Sequence, residues 1–305
     1  MKEKHPAWKL TLKSTDTEEF LDMHFYRPIG YAWALFFQKI NVSPNQVTIA
    51  AIFIGMAAGV CFYFTDFYIN LAGIFLLIWA NSFDSADGQL ARMTHKRSVT
   101  GRILDGICGD CWFGAIYLAI VFRLWPEWNW PILLLALITG YCHLKQAAMA
   151  DYFRNIHLLF LRGKNDSELD NSQYLKEKYQ QTKRKKTLPV RVIQSIYLNY
   201  TKKQENRTPR LQAMLHILRT RYQWNVPDWF RQVYREKSLP LLIYTNLLSF
   251  NLRSAILFIS ILVNHPWIYF AFELTVMNVM LYYMVHRYET IGKQLTHELE
   301  QSATA

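Results

Sequence analysis

Long apolar runs alternate with polar segments along the chain and determine the elements that we expect. The runs cover residues 47–63, 71–79, 111–122, 130–141, 239–263 and 267–285. A helix needs about 20 predominantly apolar residues to cross the core of a bilayer. Several runs approach that length, and the shorter ones reach it when their polar flanks are counted within the helix. The pattern therefore predicts an all-α integral membrane protein with six transmembrane helices.

The polar segments divide the chain further. Residues 1–43 carry aromatic side chains spaced among charges, which favours an amphipathic helix on the membrane surface. We expect transmembrane helices 1–4 within residues 44–155 and helices 5 and 6 within residues 238–290. Between them, residues 156–237 form a basic loop that holds a few helices of its own. Residues 291–305 form a C-terminal tail.

The net charge of +11 could indicate a nucleic-acid-binding protein, but the basic residues lie mostly in the segments between the apolar runs. Two short connections, 65–70 and 264–267, contain no lysine or arginine. Because cytoplasmic loops are enriched in these residues, we expect both termini, the long loop and the polar segment 84–110 on the cytoplasmic side. The bilayer is then the expected partner, and nucleic acid is not. The basic run at 183–186 is either solvated or in contact with anionic lipid.

Acidic residues cluster where two of the predicted membrane helices meet the aqueous face. At about 100° per helical residue, Asp84, Asp87, Gly88 and Ala91 share one face. A tight turn then brings Asp105, near the start of the next helix, opposite the two acids. Carboxylates in apolar surroundings are costly unless they are compensated, and hard divalent cations prefer oxygen ligands. The segment therefore predicts a site for Mg²⁺ or Mn²⁺, with two ions expected, that suits a pyrophosphate.

These residues follow a fixed spacing. The pattern D-x2-D-G-x2-A-R-x8-G-x3-D is formed by Asp84, Asp87, Gly88, Ala91, Arg92, Gly101 and Asp105. A shorter motif, Pro-Asn-x-x-Thr, is formed upstream by Pro44, Asn45 and Thr48. The first pattern resembles the signature of the CDP-alcohol phosphatidyltransferase family, and the second resembles the opening of that family's first membrane helix.

The resemblance implies a transferase in which CMP leaves a CDP-activated donor while an alcohol attacks the phosphorus. It assigns metal coordination to Asp84, Asp87 and Asp105. It assigns contact with the CDP moiety to five further residues, namely Gly88, Ala91, Arg92, Asn45 and Thr48. The implied partners are a CDP-activated lipid or CDP-alcohol and the lipid bilayer, and a homodimer is left open.

One position departs from the family pattern. The family has a further Asp four residues after Asp105, where this chain has Gly109 and places Asp110 one residue late. On a regular α-helix Asp110 would point about 140° away from Asp105. A π-bulge, eased by Gly106 and Gly109, would turn Asp110 into the site as catalytic base and fourth metal ligand, and we favour this hypothesis. Otherwise the fourth carboxylate is missing, and the protein uses another base or has lost turnover.

Lys145 and His143 lie near the predicted cytoplasmic end of the fourth helix. They are candidates for binding the acceptor, although anchoring at the membrane surface would explain them equally well. The favoured reaction transfers the substituted phosphate of CDP-diacylglycerol to a polar alcohol such as inositol or inositol phosphate and releases CMP. The alternative transfers the head group of a CDP-alcohol to diacylglycerol or ceramide. A catalytically silent CDP-lipid-binding protein is the alternative of another class, and Gly109 favours it.

Arg253 and Glu273 are charged residues deep within the fifth and sixth apolar runs. Counted from the connection at Asn264, the two residues lie at similar depth. Charges within a bilayer usually pair with each other. The sequence therefore predicts an ion pair between the last two membrane helices, with a structural role.

Overall fold

The computed structural model describes residues 7–11, 14–96, 98–163, 169–182 and 188–301, so the basic run at 183–186 lies outside the described residues. Every regular element within these ranges is helical. The α-helices are α1 (Arg27–Lys39), α2 (Pro44–Tyr63), α3 (Phe67–Met93), α4 (Val99–Trp128), α5 (Trp130–Arg162), α6 (Ser172–Thr182), α7 (Leu188–Asn206), α8 (Pro209–Thr220), α9 (Asp228–Ser238), α10 (Leu242–Leu247), α11 (Phe250–Leu262), α12 (Trp267–Phe272) and α13 (Asn278–Gln301). Two π-helical turns, Asp22–Tyr26 and Glu273–Met277, precede α1 and α13.

Six stretches of the described chain are long and apolar enough to cross a membrane. They are Pro44–Tyr63, Phe67–Met93, Thr100–Trp128, Trp130–Arg162, Asp228–Leu262 and Trp267–Gln301. The prediction of an all-α, multi-pass integral membrane protein is confirmed. Most of these stretches extend well beyond the apolar runs of the sequence, because polar residues continue the helices past the hydrophobic segments.

The starts of the first membrane helices are fixed by local hydrogen bonds. At α2, the Gln46 side chain accepts a hydrogen bond from the backbone N–H of Ser43 at 2.8 Å, and Pro44 occupies the first turn. At α3, the Asp66 carboxylate accepts from the N–H of Ile69 at 2.9 Å. Such caps satisfy N–H groups that have no partner within the helix.

The chain divides into two compact units. The first comprises Met1–Leu144 and Phe250–Thr275, and the second comprises Lys145–Ser249 and Val276–Ala305. Within the first unit, α2 packs against α3 and α4, and the Trp112 indole N–H donates to the carbonyl of Ala51 at 2.9 Å. This bond satisfies the indole in an otherwise apolar core.

The second unit contains the helices expected in the basic loop. Its α8 packs along α13, where the Glu289 carboxylate accepts hydrogen bonds from the backbone N–H groups of Arg210 and Leu211, both at 3.0 Å. The rings of Phe153 and Tyr288 stack with centroids 3.9 Å apart. The hydrogen bonds of Arg210 and Leu211 show that the loop packs against the middle of α13.

A buried polar cluster lies inside the first unit. Arg253 Nη1 lies 2.5 and 2.6 Å from the two carboxylate oxygens of Glu273, which confirms the predicted ion pair. The same nitrogen is 2.7 Å from His143 Nδ1, and the Tyr269 hydroxyl donates to Glu273 at 2.9 Å. The Tyr117 hydroxyl is 3.3 Å from His143 Nδ1. Since all these side chains are buried, the cluster compensates the two charges internally.

Replacing Glu273 by Gln should therefore destabilise the fold. The substitution leaves the Arg253 charge buried and uncompensated, which costs about 3–5 kcal/mol in comparable pairs. The check is the unfolding midpoint of the purified protein in mild detergent. A double variant, Arg253→Leu with Glu273→Leu, removes both charges and should be more stable than Glu273→Gln. Equal stability of Glu273→Gln and the unchanged protein would show that the Glu273 charge is not needed to compensate Arg253.

Candidate metal centre

The centre is built on the hairpin of α3 and α4. The chain reverses at His95, which has a left-handed backbone conformation with φ of 54°. Helix α4 then begins with the Ser98 hydroxyl accepting a hydrogen bond from the N–H of Gly101 at 2.9 Å. A Cβ at Gly101 would lie 2.9 Å from Asn45 Oδ1, so the absence of a side chain lets the start of α2 approach closely. Three helix ends therefore meet at this point.

The hairpin brings together the three acids that the motif predicts to meet. One carboxylate oxygen each from Asp84, Asp87 and Asp105 lie within 4.8 Å of one another. Asp87 is buried, Asp84 is half-buried and Asp105 is exposed, so the group spans from the protein interior to the surface. Three carboxylates offer hard oxygen ligands while leaving positions for water and phosphate oxygens, which is the donor set that Mg²⁺ and Mn²⁺ prefer. The residues therefore fit a divalent cation.

Thr48 holds the most buried of these acids. Its hydroxyl forms a hydrogen bond to Asp87 Oδ2 and lies 3.1 Å from the carbonyl of Pro44. The side chain is only 2% exposed, which leaves almost no surface for a nucleotide. The resemblance assigns Thr48 to the CDP moiety, whereas the structure places it against Asp87, where its hydroxyl restrains the carboxylate. Asn45 is half-buried beside Gly101.

Three further motif residues line α3 next to the acids. The guanidinium of Arg92 folds over Gly88, since a Cβ at Gly88 would lie 3.4 Å from Arg92 Nη1. Gly88, Ala91 and Arg92 are all partly exposed. The space beside Gly88, where the resemblance implies contact with the CDP moiety, is thus occupied in part by a cation. That cation lies one turn along the helix from Asp87, where a phosphate group could reach it.

The hypothesis of a π-bulge in α4 is wrong. The helix is regular along the whole of Val99–Trp128, all of which the structure describes. Asp110 is therefore rotated by about 140° from Asp105, and it does not belong to the acid group, so a role as fourth metal ligand is not supported. It is exposed and lies close enough to Arg253 to interact with it electrostatically. Gly109 faces open space, with no atom within 4 Å of the position of a Cβ.

The two acceptor candidates are placed differently. His143 is 5% exposed and belongs to the buried cluster of Arg253 and Glu273, a position that argues against contact with a soluble acceptor. Its long helix, Trp130–Arg162, continues well past it, so His143 is not at a helix end. Lys145 belongs to the second unit and is partly exposed. A role for Lys145 stays a prediction.

Sequence reasoning did not single out the residues of the N-terminal segment that lie beside the acids. Arg27 forms two hydrogen bonds to Glu18, at 2.9 and 3.0 Å, and the charge of Asp84 also acts on it. Burial alone would lower the pKa of Arg27, but the Glu18 carboxylate outweighs it and the pKa is raised. On α3, the buried amide of Gln89 binds the same segment. A glutamine between apolar neighbours in a membrane helix was the available signal.

Comparison with known proteins agrees with this geometry. Residues 41–153 match the family model of the CDP-alcohol phosphatidyltransferases. This part of the chain is a CDP-alcohol phosphatidyltransferase domain. It contains the three acids, Thr48 and the position of Gly109. Proteins of the family are transferases that use CDP-alcohol substrates at membranes, and the match supports CDP-alcohol phosphotransferase activity for this domain. No match was found among curated proteins, and none was found among solved structures.

The position of Thr48 in this phosphatidyltransferase domain leads to a prediction. Thr48→Val keeps the shape of the side chain but removes the hydrogen bond to Asp87. Hydrogen bonds to charged groups contribute enough that the half-saturating Mg²⁺ concentration for transfer should rise roughly tenfold or more. Thr48→Ser keeps the hydroxyl and serves as the matched control. If Thr48→Val instead has an unchanged Mg²⁺ dependence and a raised KM for the CDP donor, Thr48 contacts the nucleotide rather than supporting the metal centre.

Proposed function

We propose that this protein transfers a substituted phosphate from a CDP-activated lipid to a polar alcohol, with Mg²⁺ or Mn²⁺ bound by Asp84, Asp87 and Asp105. The observation that supports it is the convergence of these carboxylates within 4.8 Å inside a CDP-alcohol phosphatidyltransferase domain. Two ions are expected, as the diphosphate carries several oxygens that need compensation. The distribution of basic residues supports a cytoplasmic location for this site and for both termini.

The reaction exchanges the phosphoanhydride bond of the CDP donor for a phosphoester bond to the alcohol. The alcohol oxygen bonds to the phosphorus attached to the lipid, the bond from that phosphorus to the CMP oxygen breaks, and the hydroxyl proton leaves the acceptor. Bound divalent cations supply charge neutralisation on the diphosphate and on the departing CMP. The protein provides orientation: Thr48 fixes the direction of the Asp87 carboxylate, and Arg92 offers a cation to a phosphate oxygen from across Gly88.

Asp110 is the proposed proton acceptor. In the regular helix α4 it lies on a different side from position 109, so the alcohol would have to approach the phosphorus from the side of Asp110. It is an exposed carboxylate on the same helix as Asp105, and Arg253 lies within electrostatic range of it. An acid in an otherwise apolar membrane helix is usually retained for function. The open space beside Gly109 supports this arrangement, because an acceptor can approach the backbone of α4 there.

CDP-diacylglycerol is the proposed donor, and a polar alcohol such as inositol or inositol phosphate is the proposed acceptor. The basic segments and Lys145 support this choice, because they could concentrate an anionic acceptor at the membrane surface. His143 does not support acceptor binding, because its side chain is buried. A homodimer stays a prediction.

The function is tested by incubating purified protein with Mg²⁺ or Mn²⁺ and a panel of donors and acceptors, followed by mass spectrometry of the lipid product. We expect CMP release with CDP-diacylglycerol and a polar alcohol, and none after chelation of the metal. A product from a CDP-alcohol with diacylglycerol or ceramide would show that the donor carries the head group and that the lipid is the acceptor. Metal binding without CMP release from any donor would identify a silent CDP-lipid-binding protein.

Asp84→Asn, Asp87→Asn and Asp105→Asn should each lower the rate of CMP release by roughly a thousandfold, because each removes a ligand of cations that supply several kcal/mol of transition-state stabilisation. Asp66→Asn is the matched control. Asp66 caps the opposite end of α3, and asparagine caps a helix as well as aspartate does. Retention of near-normal turnover by any of the three variants would exclude that residue from the metal centre.

The role of Asp110 is tested together with Gly109. We expect Asp110→Asn to lose roughly 10²–10⁴-fold in turnover, the usual contribution of a general base. Gly109→Asp with Asp110→Asn moves the carboxylate to the position it occupies in the family pattern, into open space, and should recover part of the rate. Unchanged turnover of Asp110→Asn would refute the assignment.

A further inference from the structure

The N-terminal segment, defined here as residues 7–11 and 14–30, precedes the residues that match the family model. It nevertheless packs against α3, the helix that carries Asp84 and Asp87. Three of the residues that it contacts on α3 are Asn81, Ser85 and Gln89, which follow one another at intervals of four residues. Residues with this spacing form one stripe along a helix. The stripe lies roughly 100° around α3 from the face of Asp84 and Asp87.

Gln89 makes the most specific of these contacts. The side chain is completely buried, and its Oε1 lies 2.7 Å from the Thr11 hydroxyl, whose proton is shared between this oxygen and the carbonyl of Trp8 at 2.6 Å. Its Nε2 donates to the carbonyl of Arg27 at 3.0 Å. The amide thus binds two separate parts of the N-terminal segment. A buried amide is costly when its partners are missing, so these bonds favour one rotation of α3.

Close packing at Ser85, one turn along the stripe from Gln89, reinforces this rotation. A Cβ at Gly30 would lie 2.8 Å from Ser85 Oγ and 2.9 Å from Gln89 Nε2, so only glycine lets α1 approach α3 here. The buried side chain of Tyr26 lies close enough to that of Asn81 for the two to interact. Three successive turns of α3 are therefore in contact with the N-terminal segment.

The segment also places a cation beside the acids. Glu18 fixes the guanidinium of Arg27 through two hydrogen bonds, and Asp84 lies within electrostatic range of it. A fixed positive charge on this flank reduces the repulsion among the acids. It cannot replace a metal ion between them, because Arg27 is already bound to Glu18.

We propose that the N-terminal segment is a positioning element that fixes the rotation of α3, and thereby the metal-binding arrangement of Asp84 and Asp87, chiefly through Gln89. The inference rests on the proposed function in taking these acids to bind metal. A rotation of α3 would move both carboxylates relative to Asp105 on α4. Since cations such as Mg²⁺ demand near-ideal ligand geometry, small displacements weaken binding.

The test compares four substitutions in the full-length protein, at Thr11, Thr17 and Gln89. Thr11→Val removes the hydroxyl that binds Gln89 and keeps the shape, whereas Thr11→Ser keeps the hydroxyl. Thr17→Val is the matched control, because the Thr17 hydroxyl is buried in the same segment but donates to Ser14 within it, at 3.4 Å. Mn²⁺ affinity is measured by electron paramagnetic resonance on purified protein, so that no turnover is needed.

We expect Thr11→Val to weaken Mn²⁺ binding roughly threefold to tenfold, the change that corresponds to one ordinary hydrogen bond. Thr11→Ser and Thr17→Val should bind Mn²⁺ like the unchanged protein. Gln89→Leu, which removes both hydrogen bonds, should have the larger effect. In transfer assays the variants should need more Mn²⁺ for half-maximal rate and reach a near-normal kcat once Mn²⁺ is saturating.

Unchanged Mn²⁺ affinity in both Thr11→Val and Gln89→Leu would overturn the inference. A lower kcat with unchanged Mn²⁺ dependence would also overturn it, because that result indicates partial unfolding rather than misplaced ligands. Failure of the proposed function would give a different result from failure of this inference. The unchanged protein would then bind Mn²⁺ but release no CMP, and the Mn²⁺ affinities of the variants would still test the inference. An unchanged protein that binds no Mn²⁺ would overturn both.

Discussion

Three carboxylates lie together at one point of a largely apolar protein, and their mutual repulsion has to be balanced by the contacts around them. With one oxygen of each within 4.8 Å of the others, every pair of ionised groups repels by on the order of 3 kcal/mol at an effective dielectric constant of about 20. Burial of Asp87 adds the cost of removing a charge from water. A divalent cation bound among the acids would compensate this repulsion, and the contacts of the surrounding structure hold the three carboxylates together without it.

Each neighbouring element contributes to that restraint. The hairpin of α3 and α4 sets the acids opposite each other, and the start of α2 brings the Thr48 hydroxyl to Asp87. The N-terminal segment contacts a different face of α3, through Gln89, and places Arg27 on the flank of Asp84. Because these contacts act on separate faces, α3 is restrained against both rotation and displacement. The metal centre is therefore a property of the whole first unit rather than of the motif alone.

Several of these features could be predicted from local patterns. Apolar runs predicted the membrane helices, helical phase placed Asp84 and Asp87 on one face, and similar depth paired Arg253 with Glu273. The π-bulge was predicted wrongly, since glycines permit a bulge but do not outweigh the continuous hydrogen bonds of α4. The contact of Thr11 with Gln89 spans 78 residues and leaves no periodic signal in the sequence. Burial of His143 depends likewise on helices distant along the chain.

The most direct test of the metal centre is an experimental structure determined with Mn²⁺, using the anomalous scattering of the ion to locate it. If the three acids bind metal, we expect an anomalous peak enclosed by the carboxylates of Asp84, Asp87 and Asp105, within coordination distance of all three. A peak bound elsewhere, or well-ordered carboxylates with no peak between them at saturating Mn²⁺, would contradict it.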